Sequence, residues 1–467
     1  MSAMPLEPLP PRFQEVLDQA RSLGLDFFEL RFEVVPEEIM AELAAYGLPT
    51  RAQHWSYGQV YNRNRLFGRM GLSRIYEIVL NNDPAHAFLL ETNRPVENLL
   101  VVAHVAAHAD FFKNNALFQE TNRHMVAEAA AHAQRIDRYR EEVGEERVEH
   151  VMDIAMALEQ HIDFPRGVHR RRYEEERGRR PAASRPPRDP DEERLAELFP
   201  EEEAPPERET APPPLPPHPE RDLLWFLANY APLTDWERDI LEIQREESYY
   251  FYPQFATKIL NEGWATYWHA RILGEAGWLT PEETLEYARL HAAVVQPGSR
   301  LQINPYYLGY RILRDVEEQS GPERLWQLRR EEDDVSLIQN FLTPELADEM
   351  ELFTYGPRSR FAPSGREPEL EVKSRDIDQV REFLCRPRYN YGVPLVAVSE
   401  VRHGQLYLEQ LDRHVSGLDL EYAKKTLEYI GELWRGPVRL VTADSEGREL
   451  ELVWEGQEEP RRRGRSG

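Results

Sequence analysis

Between Gly167 and Glu220 the chain abandons the composition of a packed protein. The run ending in "EEEAPPERETAPPPLPPHPE" is rich in Arg, Glu and Pro, and offers too little apolar surface to offset the entropy of ordering its backbone. Residues 167–220 are therefore expected to be a disordered insertion. Helical pattern lies on both sides of it, so any core must be assembled from segments that are not contiguous in the chain. The expected division is a helical core in two parts, 1–166 and 221–365, then a small α/β accessory domain over 366–457 and a basic disordered tail over 458–467.

Within those bounds, the stretch from Pro11 to about Tyr46 reads as helical. "IYEIVLNN" and "AHAFLLET", separated by "NNDPA", read as two short strands around an Asn/Asp/Pro turn. Helices are expected over Val96–Asn115, Thr121–Val143 and Glu145–Ile162. Another covers "PEETLEYARLHAAVVQ", with Thr280 as N-cap and Pro281 at its first position. Beyond Gly365, strands meet at His403-Gly404 and at Glu446-Gly447 around one amphipathic helix, a ββαββ pattern. The fold class is α+β: a mainly α-helical core with a short β-hairpin, plus a small C-terminal ββαββ domain.

Charge and hydropathy exclude whole classes of function. A net charge of −26, from 57 basic and 83 acidic residues, repels a phosphate backbone at long range, so no nucleic-acid partner is expected. No run approaches the ~20 apolar residues of a membrane span. "MSAMPLEPLPPRFQEVL" lacks the basic and apolar regions of a secretory signal, and the single cysteine, Cys385, forms no internal disulfide. The chain reads as cytoplasmic.

The candidate chemistry starts at "VVAHVAAHADFFKNN". His104 and His108, one helical turn apart, present two imidazoles to one point, the spacing with which a helix holds zinc or another divalent metal. A hydrogen-bonded pair packed among alanines is the competing reading. Asp110 projects from the opposite side of that helix and is a poorer ligand. In "NEGWATYWH", Glu262 is a carboxylate among aromatics, costly unless paired or bound to metal. It is either the third ligand or the partner of Lys258. His269, on the same face, is a fourth ligand or an orienting partner. Glu149 and Asp153, four apart in one helix, and Glu247, beside Glu246, are candidate general bases, against the default of solvated faces or salt bridges. Glu91 closes the second hairpin strand, and that strand, from Ala85, is expected to receive an extended peptide along its edge.

Five blocks, "HWSYGQVYNRN", "GLSRIYEIVLNNDPAHAFLLETN", "LVVAHVAAHADFFKNN", "REESYYFYPQFATKILNEGWATYWH" and "VVQPGSRLQINPYYLGYRILRDVE", together closely resemble the stage V sporulation protein R (SpoVR) family, over about Arg12 to Trp454. The resemblance implies a role in making the peptidoglycan cortex of the spore. It also implies association with a serine protein kinase and a von Willebrand-like partner, but no settled activity. His104, His108, Glu262, His269, Asp110, Asn114 and Asn115 match the family pattern. In "DIAMAL", Met156 replaces a histidine of relatives while Asp153 remains. A weaker similarity is to the gluzincin metallopeptidases, which pair a His-Glu-x-x-His helix with a later glutamate ligand; here Val105 stands where their catalytic glutamate would be. The resulting expectation is a metallopeptidase-like core binding zinc through His104, His108 and Glu262, with His269 as a fourth ligand or orienting partner and an open position for water, acting on a peptide-like or peptidoglycan-precursor substrate. The alternative is a noncatalytic scaffold whose metal is structural.

Overall fold

The structure, a computed structural model, describes residues 4–5, 8–69, 77–164, 215–298, 303–357, 370–413, 417–444, 447–456 and 461–463. Most of the expected insertion lies outside these residues. The chain forms two compact units, one of Met1–Gln160 with Asp235–Val393, the other of His161–Thr234 with Pro394–Gly467. No described helix is long and apolar enough to cross a membrane.

The first unit is built around the helix Pro95–Asn114, whose residues from Val101 to Phe112 are all buried. A helix apolar or small on every face needs neighbours on every face. They are the helices Pro11–Ser22, Lys258–Gly274, Pro281–Val294 and Glu323–Glu331, with the strands Glu77–Val79 and Ala85–Leu90. Its start is fixed by Pro95 and by a reciprocal cap in which the Glu97 carboxylate accepts from the Arg94 backbone N–H. The helix Pro281–Val294 has the expected Thr280 cap, reinforced by Glu283.

The helix Lys258–Gly274 is pinned at its start by the carboxylate of Asp334, which accepts from the backbone N–H groups of Ile259 and Leu260 at 2.8 and 2.9 Å. Burial pushes that carboxyl up to about 7. In its second turn, this helix crosses Pro305–Ser320 at Gly263 and Gly309. A Cβ on Gly263 would lie 2.5 Å from the Gly309 backbone, so the crossing admits no side chain on either helix at that point.

The hairpin Glu77–Val79 and Ala85–Leu90 is present, but in a four-stranded sheet whose order places Ala85–Leu90 between Glu77–Val79 and a parallel strand, Leu30–Val35. This corrects two expectations. The segment 30–35, read as helical, alternates buried Leu30 and Phe32 with exposed Arg31, the period of a strand. The strand Ala85–Leu90 is internal to its sheet, so both its backbone edges are paired and an extended peptide has no edge there to join. "HWSYGQVYNRN", unassigned from sequence, begins the helix Trp55–Arg69.

The second unit contains the ββαββ pattern. Strands Val396–Arg402, Gln405–Gln410, Val438–Ala443 and Glu449–Trp454 are neighbours in that order, with the middle pair parallel across the helix Leu420–Trp434. Within the tail, Arg461–Arg463 add an antiparallel edge strand. The helix Leu223–Tyr230 belongs to this unit, where Phe226 stacks on Trp434. Conversely, the helix Ile377–Cys385 belongs to the first unit, because Val380, Leu384 and Cys385 bury in its core.

Candidate metal centre

His104 and His108 turn their rings toward the helix Lys258–Gly274, and Glu262 projects back between them. The two Nε2 atoms lie 3.0 Å apart, and each is 3.4 Å from Glu262 Oε2. These three residues are buried and form the one His/Cys/Asp/Glu cluster with metal-binding spacing among the described residues. Tetrahedral zinc with ligand bonds of ~2.0–2.1 Å separates its ligand atoms by roughly 3.3–3.4 Å. The triangle is therefore of the size one ion requires.

The outer atoms of the three side chains are held. His108 Nδ1 is 2.8 Å from Asn261 Oδ1, an acceptor, so that nitrogen carries the proton and Nε2 presents its lone pair. Lys258 Nζ donates to Glu262 Oε1 at 2.6 Å, leaving Oε2 buried without a hydrogen-bond partner. Burial alone would raise the Glu262 carboxyl. Lys258 and the two imidazoles outweigh it and hold the group well below the usual carboxylate range. Burial, helped by His108, lowers His104 and keeps it neutral, the state in which imidazole coordinates a metal. The expected pairing of Glu262 with Lys258 is thus present through Oε1, while Oε2 lies 3.4 Å from each histidine. His269 does not join the triangle: its Nδ1 meets His104 Nδ1 at 3.1 Å, and its Nε2 meets His291 Nδ1 at 3.0 Å.

A cavity of about 440 Å³ opens against His104 and His269, lined also by Glu77, Glu97, Leu100, Val101, Leu290 and Tyr306. The Tyr306 ring stacks on His104 with centroids 6.0 Å apart. Glu77 stands on the outermost strand of the sheet, pushed up to about 7 by burial and by the charge of Glu262. Glu77, Tyr306 and His291 were not singled out from sequence. None has helical spacing to the histidine pair, and only the sheet pairing and the helix crossing bring them close.

The other sequence candidates lie in separate clusters. Glu149 and Asp153 flank buried His54, whose Nε2 is 3.4 and 3.2 Å from their oxygens. Trp55 donates to Asp153 and Arg140 to Glu149. Glu247 is buried between Arg51, at 2.5 Å, and His132. These carboxylates are therefore committed to ion pairs and hydrogen bonds outside the triangle. Glu91 is exposed at the end of its strand. Asp110, as expected, points away from the histidines, toward Arg329 and Trp264.

The His132 cluster predicts a pH dependence. Burial opposes its charge, but Glu246 and Glu247 outweigh burial and push it from 6.5 up to about 9. A raised folded pKa contributes stability that is full below the unfolded value and lost as pH rises through the folded one. The melting temperature of the wild type should therefore fall relative to that of His132→Gln between pH 6.5 and about 9. Parallel thermal melts across that range check it; a constant difference contradicts it.

The family model described as "SpoVR like protein" matches residues 6–393. The "Uncharacterized protein YcgB" of Escherichia coli (strain K12) is 32% identical, over 93% of this chain and 91% of its own length. No solved structure matches the chain.

Proposed function

The chain belongs to the SpoVR family, and from that premise we propose that its first unit is a divalent-metal centre of a hydrolase-like protein, with zinc the expected ion. One observation carries the reading: two imidazole nitrogens and a carboxylate oxygen converge with edges of 3.0, 3.4 and 3.4 Å, the oxygen lacking any hydrogen-bond partner. Three protein ligands leave a fourth position open, the arrangement of catalytic rather than structural zinc. A divalent ion there supplies Lewis acidity toward a carbonyl oxygen.

The remaining roles fall to residues of the cavity. Glu77 takes the place that Val105 leaves vacant, accepting a proton from the attacking water and returning it to the leaving group. The Tyr306 hydroxyl donates to the oxygen on which negative charge develops. The cavity has acidic, apolar and phenolic walls and no lysine or arginine among its described lining residues, which suits a neutral amide or peptide bond better than a phosphate ester. Given the sporulation link of the family, the proposed substrate is a peptide-like bond of a peptidoglycan precursor in cortex formation.

Glu77→Gln should retain zinc and lose activity by about two to four orders of magnitude, the usual worth of a general base. The check is zinc content together with hydrolysis of a panel of peptidoglycan stem peptides. Unchanged hydrolysis would remove Glu77 from the mechanism. The buried Val105 favours a second reading, in which the metal only stabilises a scaffold for a serine protein kinase and a von Willebrand-like partner. Under that reading, Glu77→Gln complements a deletion strain fully at normal protein abundance, whereas under the catalytic reading it does not.

A further inference from the structure

His104, His269 and His291 form a continuous chain of imidazoles, running from the buried triangle to the helix Pro281–Val294. His104 Nδ1 meets His269 Nδ1 at 3.1 Å, and His269 Nε2 meets His291 Nδ1 at 3.0 Å. His104 and His269 are buried, whereas His291 is half-buried, its ring packed edge-on to Tyr310. Histidine binds a metal as the neutral imidazole, and three neutral rings joined by two nitrogen–nitrogen contacts carry one ring proton each. Every contact in the chain needs one donor and one acceptor. The chain as a whole therefore has only two self-consistent polarities.

In the first polarity His104 Nδ1–H donates to His269 Nδ1, His269 Nε2–H donates to His291 Nδ1, and His291 keeps its proton on Nε2. His104 Nε2 then offers a lone pair to the triangle. In the second, His291 Nδ1–H donates to His269 Nε2, His269 Nδ1–H donates to His104 Nδ1, and His104 Nε2 carries a proton aimed at Glu262 and His108. Both hold three protons. Passing from the second to the first releases the proton on His104 Nε2 to water, shifts one proton across each of the two contacts, and returns one from water to His291 Nε2.

Resting on the metal-centre reading above, we propose that His291, through His269, sets the tautomer of His104 and so acts as a positioning residue for metal binding. The centre is then governed by a side chain two hydrogen bonds away from the ion. On the other ligand, Asn261 does the same for His108 in a single step. The asymmetry gives His104 a switchable proton and His108 a fixed one.

The test is zinc affinity, measured by competition with a chromophoric chelator on the full chain, for the wild type, His291→Phe and His291→Asn. Phenylalanine preserves aromatic packing beside Tyr310 but accepts nothing from His269; asparagine restores an acceptor. His291→Phe should bind zinc about 10 to 100-fold more weakly, the range seen when a residue that only orients a ligand is removed, and His291→Asn should return close to wild type. Equal affinity of wild type and His291→Phe overturns the proposal and leaves the metal centre standing, as does an equal loss in both variants. A wild type that binds no zinc overturns both.

Discussion

Replacing His108 with alanine, or Glu262 with glutamine, is expected to abolish stoichiometric zinc binding while leaving the fold intact. The loss should exceed the 10 to 100-fold typical of residues that merely orient a ligand, because each substitution removes one corner of a three-cornered site. Glu262→Gln is the sharper probe: it keeps the size of the side chain and an oxygen for Lys258, whose side chain is 58% exposed, but it removes the charge that the neutral imidazoles cannot supply. His108→Ala leaves Asn261 Oδ1 without its donor and should carry a modest melting penalty besides. Elemental analysis of protein prepared without chelators, with melting curves alongside, provides the check. If the glutamine variant retains one zinc per chain, Glu262 is not a ligand.

The second large effect concerns stability. Asp110 is fully buried and accepts from Arg329 at 2.6 Å, Trp264 Nε1 at 2.9 Å and the Asp26 backbone at 2.8 Å. It ties the histidine helix to the Lys258–Gly274 helix, through Trp264, and to the Glu323–Glu331 helix, through Arg329. Asp110→Ala leaves a buried guanidinium without its counter-charge, which costs about 3–5 kcal/mol. Most of that penalty is the isolated charge, not the lost pair, so Asp110→Ala combined with Arg329→Met should be more stable than Asp110→Ala alone. Urea unfolding of the single and double variants decides this; a double variant less stable than the single contradicts the account.

The two histidines and Glu262 were legible in the sequence for different reasons. Helical periodicity alone aligns His104 with His108, since both lie on one strongly apolar helix. Glu262 stood out as a charge that its aromatic neighbours could not solvate. Sequence could not show that Glu149, Asp153 and Glu247 have other partners, because His54 and Arg51 lie far away along the chain and are brought in only by tertiary packing. The strand Leu30–Val35 was hidden for a local reason: "DFFELRFEVV" is apolar at both helical and strand spacing, and pairing with Ala85–Leu90 decides between them. Glu77 had no local signature at all. The C-terminal ββαββ pattern was legible because its alternation, its turn at His403-Gly404 and its amphipathic helix all agree; Glu446, in the other expected turn, lies outside the described residues.

The bare crossing of Gly263 and Gly309 bears on how steadily the centre is held. Where two helices touch backbone to backbone, neither has a flexible side chain between them to absorb a rocking motion, so the contact behaves as a fulcrum. Displacement under tilting grows with distance from a fulcrum. Glu262 is the residue next to it on one helix, and Tyr306 stands three residues from it on the other, within roughly 5 Å along the axis at ~1.5 Å per residue. Glu262 and the cavity phenol therefore ride on short lever arms. Thermal rocking that swings the far ends of the helices, Gly274 and Ser320, apart changes the separation of these two groups far less.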